Sequence, residues 1–202
     1  MSKMLCKSVF LLALLFGLVA AARPQFHHGQ KISKLSGDAL IQAACDGVSL
    51  GGDESECVST LKSATPDQKA DANALALFTL RFVENHAENI TTAIKKISAV
   101  PDVGPFLQSA LTDCMEQYNS LDDLIEDAND AVSSHSYPDA QKFIMAGFSS
   151  VELCDSQLKA SNFEEKAENK TGEDVVMARD LTKYVLLHKK LLAATLNILT
   201  LD

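Results

Sequence analysis

Between Leu107 and Val132, apolar or half-apolar residues recur at Leu107, Leu111, Cys114, Tyr118, Leu121, Ile125, Ala128 and Val132. The spacing alternates four and three without a break, which predicts one long helix with a single stripe turned to a partner seam. Its opposite face is acidic, with Asp113, Glu116, Asp122, Asp123, Glu126, Asp127 and Asp130. One helix thus carries a core seam, a cysteine within that seam and a charged outer surface.

The same rhythm recurs along the chain. Ala76, Leu80, Val83, Ala87, Ile90, Ile94 and Ile97 predict the longest helix, started at Thr65-Pro66-Asp67 and ending near Ala99. Pro101 and Pro105 break the chain before the acidic helix, and His135 to Pro138 form the next turn, because the residue before a proline avoids helical geometry. Asp139 to about Ser161 carries Phe143, Ile144, Phe148, Val151 and Cys154. A polar loop, Asn162 to Glu173, leads to a last helix, about Glu173 to Thr200, striped by Ala178, Leu181, Val185, His188, Leu192 and Leu199. Ahead of these four, short helices over Asp38–Cys45 and around Cys57, Val58 and Leu61 flank a Gly-rich turn, Asp46 to Asp53. No strand-like alternation of useful length occurs. The expected fold is all-α: an up-down-up-down four-helix bundle with an N-terminal helical hairpin and two disulfides.

The chain starts with Lys3 and Lys7, an apolar run from Ser8 to Val19 and small residues at Ala20-Ala21-Ala22. That order reads as a secretory signal peptide over residues 1–22, leaving 23–202 as one domain. Losing Lys3 and Lys7 moves the net charge from −9 to −11. Such acidity disfavours nucleic acid and anionic membrane and favours a basic protein partner. It also removes Cys6, so Cys45, Cys57, Cys114 and Cys154 remain, an even number that reads as two disulfides in an oxidising compartment. Three pairings are open, of which sequential pairing is the simplest for neighbouring helices. Asn89-Ile90-Thr91 and Asn169-Lys170-Thr171 are N-glycosylation sequons.

Few catalytic patterns appear in the sequence. It has no Gly-rich phosphate loop and no His-Glu-x-x-His pair, and Gly47-Val48-Ser49-Leu50-Gly51, which has the Gly-x-Ser-x-Gly spacing, falls in the turn region with no strand before it to form an elbow. Asp122-Asp123 and Glu126-Asp127 are adjacent pairs, and adjacent helical residues point about 100° apart, so neither pair shares a site. No Glu-x-x-His element for a di-iron bundle is present. His27-His28 sits in a loose basic arm. His86 lies between Glu84 and Glu88, where a solvated ion pair is expected, and His188 falls on an apolar stripe as a half-buried, hydrogen-bonded core histidine. The expectation is no catalysis, no metal and no cofactor, in a rigid stapled bundle that presses a helix face against another protein.

Several segments are similar to one family. Ala44-Cys45, then Cys57-Val58-Ser59-Thr60-Leu61-Lys62-Ser63, Ala70-Asp71 and Leu75-Ala76-Leu77 come first. Ala110-Leu111-Thr112-Asp113-Cys114-Met115-Glu116-Gln117-Tyr118, Ser136-Tyr137-Pro138-Asp139-Ala140 and Cys154-Asp155 follow. Together they resemble the plant invertase and pectin methylesterase inhibitor family over about Ser33 to Leu201. The resemblance implies a four-helix bundle with a hairpin extension, disulfides in first–second and third–fourth order, and no catalysis. It implies a secreted or vacuolar carbohydrate-active enzyme as partner, blocked by one inhibitor over its substrate cleft.

By position, the resemblance makes Glu116 and Asp123 acidic contact residues for pectin methylesterase, with Gln141 on the following helix. Ser120 stands where such inhibitors can have an acidic residue, and Leu153 where they can have a hydroxyl. Some invertase inhibitors insert Pro-Lys-Phe at the turn before the fourth-cysteine helix. That turn here reads Tyr137-Pro138-Asp139, and Gln141-Lys142-Phe143 lies further on, inside the helix. The Cys57–Ser63 wording is, by contrast, common in invertase inhibitors. The expected function is therefore inhibition of pectin methylesterase in the apoplast or cell wall. Inhibition of a wall or vacuolar acid invertase is the alternative, and a non-inhibitory secreted bundle the second.

Overall fold

The computed structural model describes residues 35–48, 54–101, 103–161 and 173–200, without the side chains of 173–178. The expected signal peptide, the expected His27-His28 arm, most of the expected Gly-rich turn and the expected loop bearing Asn169 lie outside the described residues, as does the side chain of Ala178. Among the described residues six α-helices follow in order: α1 Gly37–Cys45, α2 Ser55–Lys62, α3 Ala72–Ser98, α4 Pro105–Ser133, α5 Tyr137–Ala160 and α6 Glu173–Leu199. Among the described residues there is no strand, and no helix is long and apolar enough to cross a membrane.

Helices α3 to α6 form the bundle. Each packs on the next, and α6 closes the ring against α3. Cross-links give the directions. Cys114 faces Cys154 across α4 and α5, and Leu121 faces Gly147, so this pair is antiparallel. Gln141 Nε2 donates to the Leu199 carbonyl at 2.8 Å, joining the start of α5 to the end of α6. Tyr137 Oη donates to Asn73 Oδ1 at 3.4 Å, joining the starts of α5 and α3. The expected up-down-up-down order follows from these contacts.

Helix starts are set by local chemistry. Thr65 and Gln68 exchange reciprocal capping bonds, but these open only a 3-10 turn at Asp67–Lys69. The long helix begins later, where extended Asp71 accepts from the Ala74 N–H at 2.8 Å. The start expected at Thr65-Pro66-Asp67 is thus displaced by a better cap. Gly104, with φ 87°, turns the chain into α4, and Pro105 occupies its first turn, where no N–H is needed. At 29 residues α4 exceeds α3, with 27, which was expected to be the longest. The turn before α5 is tighter than the proline suggested. His135 takes a left-handed φ of 59°, and Pro138 lies inside the first turn of α5.

The stripes of α3 and α4 are buried as the periodicity predicts. On α5 the outcome is narrower, since Phe143 and Phe148 are only half-buried. On α6 it is wider: His188 to Leu196, Ile198 and Leu199 are all buried. The stapled hairpin explains this, because α1 and α2 pack on the side of α6 that the bundle leaves open. Two polar side chains seven residues apart on α6 seat the hairpin. Lys190 is 1% exposed and meets Glu56 at 3.0 Å. Asn197 Nδ2 donates to the carbonyls of Ala44 and Asp46 at 3.0 and 3.3 Å. Cys45–Cys57 closes the hairpin and Cys114–Cys154 joins α4 to α5, the sequential pairing.

Candidate functional site

The acidic side of α4 is the most distinctive surface of the bundle. The helix holds seven carboxylates and no Lys, Arg or His. Glu116, Asp122, Asp123, Glu126, Asp127 and Asp130 are exposed, and Asp113 is half-buried. Among the described residues none of these groups enters an ion pair, so their field reaches solvent uncompensated. Glu116 and Asp123 stand seven residues apart, two turns on one face. Ser120 lies between them, with its Oγ donating to the Glu116 carbonyl at 3.2 Å.

Two features hold this face against α5. The Cys114–Cys154 bridge brings the two backbones to a Cα separation of 4.5 Å, and both cysteines are fully buried. Gly147 permits the close approach one register step on: a Cβ built there would stand 2.9 Å from Leu121 Cδ1. Leu121 is itself buried and has little room to move. Gly147→Val is expected to lower unfolding stability by about 2 to 3 kcal/mol through overpacking, read in a urea titration. An unchanged midpoint would contradict this close contact.

The antiparallel register sets Asp123 level with Met145 and Met115 level with Leu153. These α5 residues are exposed apolar side chains, Met145 at 56% and Leu153 at 43%. Gln141 is placed differently from Glu116 and Asp123. Its nitrogen is bound to Leu199, which puts its side chain on the α6 side of α5 rather than beside α4. The structure therefore brings Glu116 and Asp123 together and sets Gln141 apart.

Between α5 and α6 lies a partly buried polar cluster that periodicity alone did not reveal. Lys189 of α6 reaches Asp155 and Glu152 of α5, each at 3.2 Å, and lies 5.9 Å above the Phe148 ring. Asp155 also accepts from Lys159 at 2.9 Å. A Lys189-Lys190 pair inside an otherwise apolar run was the available signal. Tyr118 and His188 meet across the bundle diagonal, Oη to Nδ1 at 3.5 Å. Burial, with Asp155 adding to it, pushes the Tyr118 phenol well above its usual range. His188 is fully rather than half-buried, and its Nε2 has no partner among the described residues. Burial, assisted by His86, lowers its pKa to about 3, so the ring is neutral.

His86 also departs from expectation. Its ring stacks on Phe82 at 3.9 Å, and Nδ1 donates to the Phe82 carbonyl at 2.9 Å, in place of a solvated ion pair. Among the described residues no group of three or more His, Cys, Asp or Glu is placed to hold a metal ion.

The family model described as plant invertase/pectin methylesterase inhibitor matches residues 39–187. Two solved structures from Arabidopsis share the fold. A mutant form of a pectin methylesterase inhibitor superposes with a TM-score of 0.57 at 19% identity, covering 78% of this chain and 95% of that one. A second pectin methylesterase inhibitor superposes with a TM-score of 0.50 at 20% identity, covering 79% and 93%. At these identities the likeness is one of fold. No curated protein sequence matches significantly.

Proposed function

This chain belongs to the plant invertase/pectin methylesterase inhibitor family, and from that membership we propose that it is a secreted inhibitor of pectin methylesterase. In this reading it covers the substrate cleft of the enzyme in a one-to-one complex. Membership itself marks an inhibitor rather than an enzyme. The observation that supports the target face is α4, an acidic helix without compensating cations, clamped to α5 by a buried disulfide. A preorganised face loses little conformational entropy on docking, and its field draws a basic partner surface. Glu116 and Asp123 are the proposed contacts. Gln141, held by the Leu199 carbonyl on the α6 side of α5, stands apart from this pair and would touch the enzyme only at the margin of the contact.

Residues 1–22 act in this reading as the signal peptide and 23–202 as the mature inhibitor, delivered to the apoplast. An acid invertase of the wall or vacuole is the competing target, favoured by the wording of Cys57–Ser63. Charge reversal tests the face. Glu116→Lys with Asp123→Lys should weaken esterase binding about tenfold or more at low salt, with melting unchanged. The difference should shrink at high salt, where exposed charges are screened. Equal, salt-independent binding of both proteins would remove the acidic face from the contact.

A further inference from the structure

Asn89 begins an intact Asn-x-Thr sequon near the middle of α3. Its side chain is exposed. Thr91 turns its hydroxyl back onto the Glu88 carbonyl at 3.0 Å, a local bond that leaves Asn89 uncovered. A sequon within a helix is no obstacle, because the transferase acts on the chain before it folds, whereas the folded surface must tolerate the product.

The position of Asn89 around α3 can be read from its neighbours. His86 stands one turn earlier on the same edge, half-buried and stacked on Phe82. Asn73, which bonds Tyr137, falls on the other edge, about 160° away at 100° per residue. Along the His86 edge runs a row of half-buried rings. Phe78 and Phe82 lie 6.4 Å apart, and His86 stacks on Phe82. The row ends one turn before Asn89.

We propose that Asn89 is an N-glycosylation site whose glycan lies along this edge of α3, beside the ring row, and leaves the acidic face of α4 open. The apolar face of a sugar covers exposed ring edges there, and the α4 and α5 faces stay open. Occupancy is independent of the inhibitor reading. Only the claim that the glycan spares the contact face rests on it.

The test uses the full chain secreted from plant cells. Trypsin releases the peptide Phe82–Lys95, and glycosidase digestion in heavy-oxygen water should convert Asn89 to a labelled aspartate. Thr91→Ala should abolish the label and Thr91→Ser retain it. Asn89→Gln should titrate the target enzyme with the same end point as the glycosylated protein. An unmodified peptide, whether from the medium or from protein retained in the cell, would overturn occupancy. Label persisting in Thr91→Ala would do so too. A glycosylated protein with a shifted end point relative to Asn89→Gln would overturn the placement.

Discussion

Replacing Cys114 and Cys154 together by alanine should lower unfolding stability by about 4 kcal/mol and abolish inhibition. The bridge spans 40 residues, and the chain entropy released to the unfolded state on opening a loop of that size has this magnitude. For a domain of this length the loss corresponds to a melting temperature lower by roughly 10 °C. Inhibition should fail even below the melting point, because the bridge fixes the acidic helix relative to α5.

The other bridge gives the comparison. Cys45–Cys57 spans 12 residues and closes the hairpin, which packs on α6 rather than on α4. Its double alanine variant should lose about 3 kcal/mol yet keep inhibiting at temperatures where it is folded. Calorimetry and an inhibition titration on both variants separate the two roles. Unchanged melting and activity in Cys114→Ala/Cys154→Ala would contradict the clamp.

A second large effect is expected from acid. His188 is buried neutral with a pKa of about 3, whereas an unfolded histidine titrates near 6.5. Because the native value is the lower one, protons bind first to the unfolded chain. Stability is therefore fully present above pH 6.5 and declines as pH falls through the interval from 6.5 to about 3. The slope approaches about 1.4 kcal/mol per pH unit, giving roughly 2 to 3 kcal/mol lost between pH 7 and 4.5.

Asp139 acts in another window. Hydrogen bonds from Lys142 and Ser136 hold its carboxyl below its usual 3.8, so its contribution is lost only as pH falls below that value. His188→Gln keeps a polar side chain opposite Tyr118 and removes the titration. Denaturant unfolding across pH 7 to 4.5 should show a flatter profile for the variant than for the parent. Parallel profiles would mean that His188 does not carry the acid sensitivity.

Much of the bundle was legible because burial in α3 and α4 follows one narrow stripe. Each of these helices has a wet outer face, so the four-and-three spacing survives in the sequence. Helix α6 broke that rule. The hairpin covers its remaining side, so the run from His188 to Leu196 is buried all round and the stripe drawn through it was too thin. Lys190 shows the same blindness: as a lysine it reads as surface, and its ion pair with Glu56, far away in sequence, helps make its burial tolerable. Thr65 read as the start of α3, whereas the structure uses Asp71, whose side chain caps the Ala74 N–H while Thr65 opens only the 3-10 turn.

The acidic face was fully visible as residue types on a helical wheel. What could not be read was Gln141, whose side chain is claimed by the end of α6, a contact 58 residues away. Gly147 was similarly silent. A glycine within a helix signals close approach only once the neighbouring Leu121 is in place.

The most direct measurement titrates the oxidised mature protein into two assays run side by side, pectin demethylation and sucrose hydrolysis by acid invertase. Demethylation should be lost with an end point at one equivalent, and sucrose hydrolysis should be unaffected. Full demethylation activity at excess inhibitor, with or without loss of invertase activity, would contradict the proposed function.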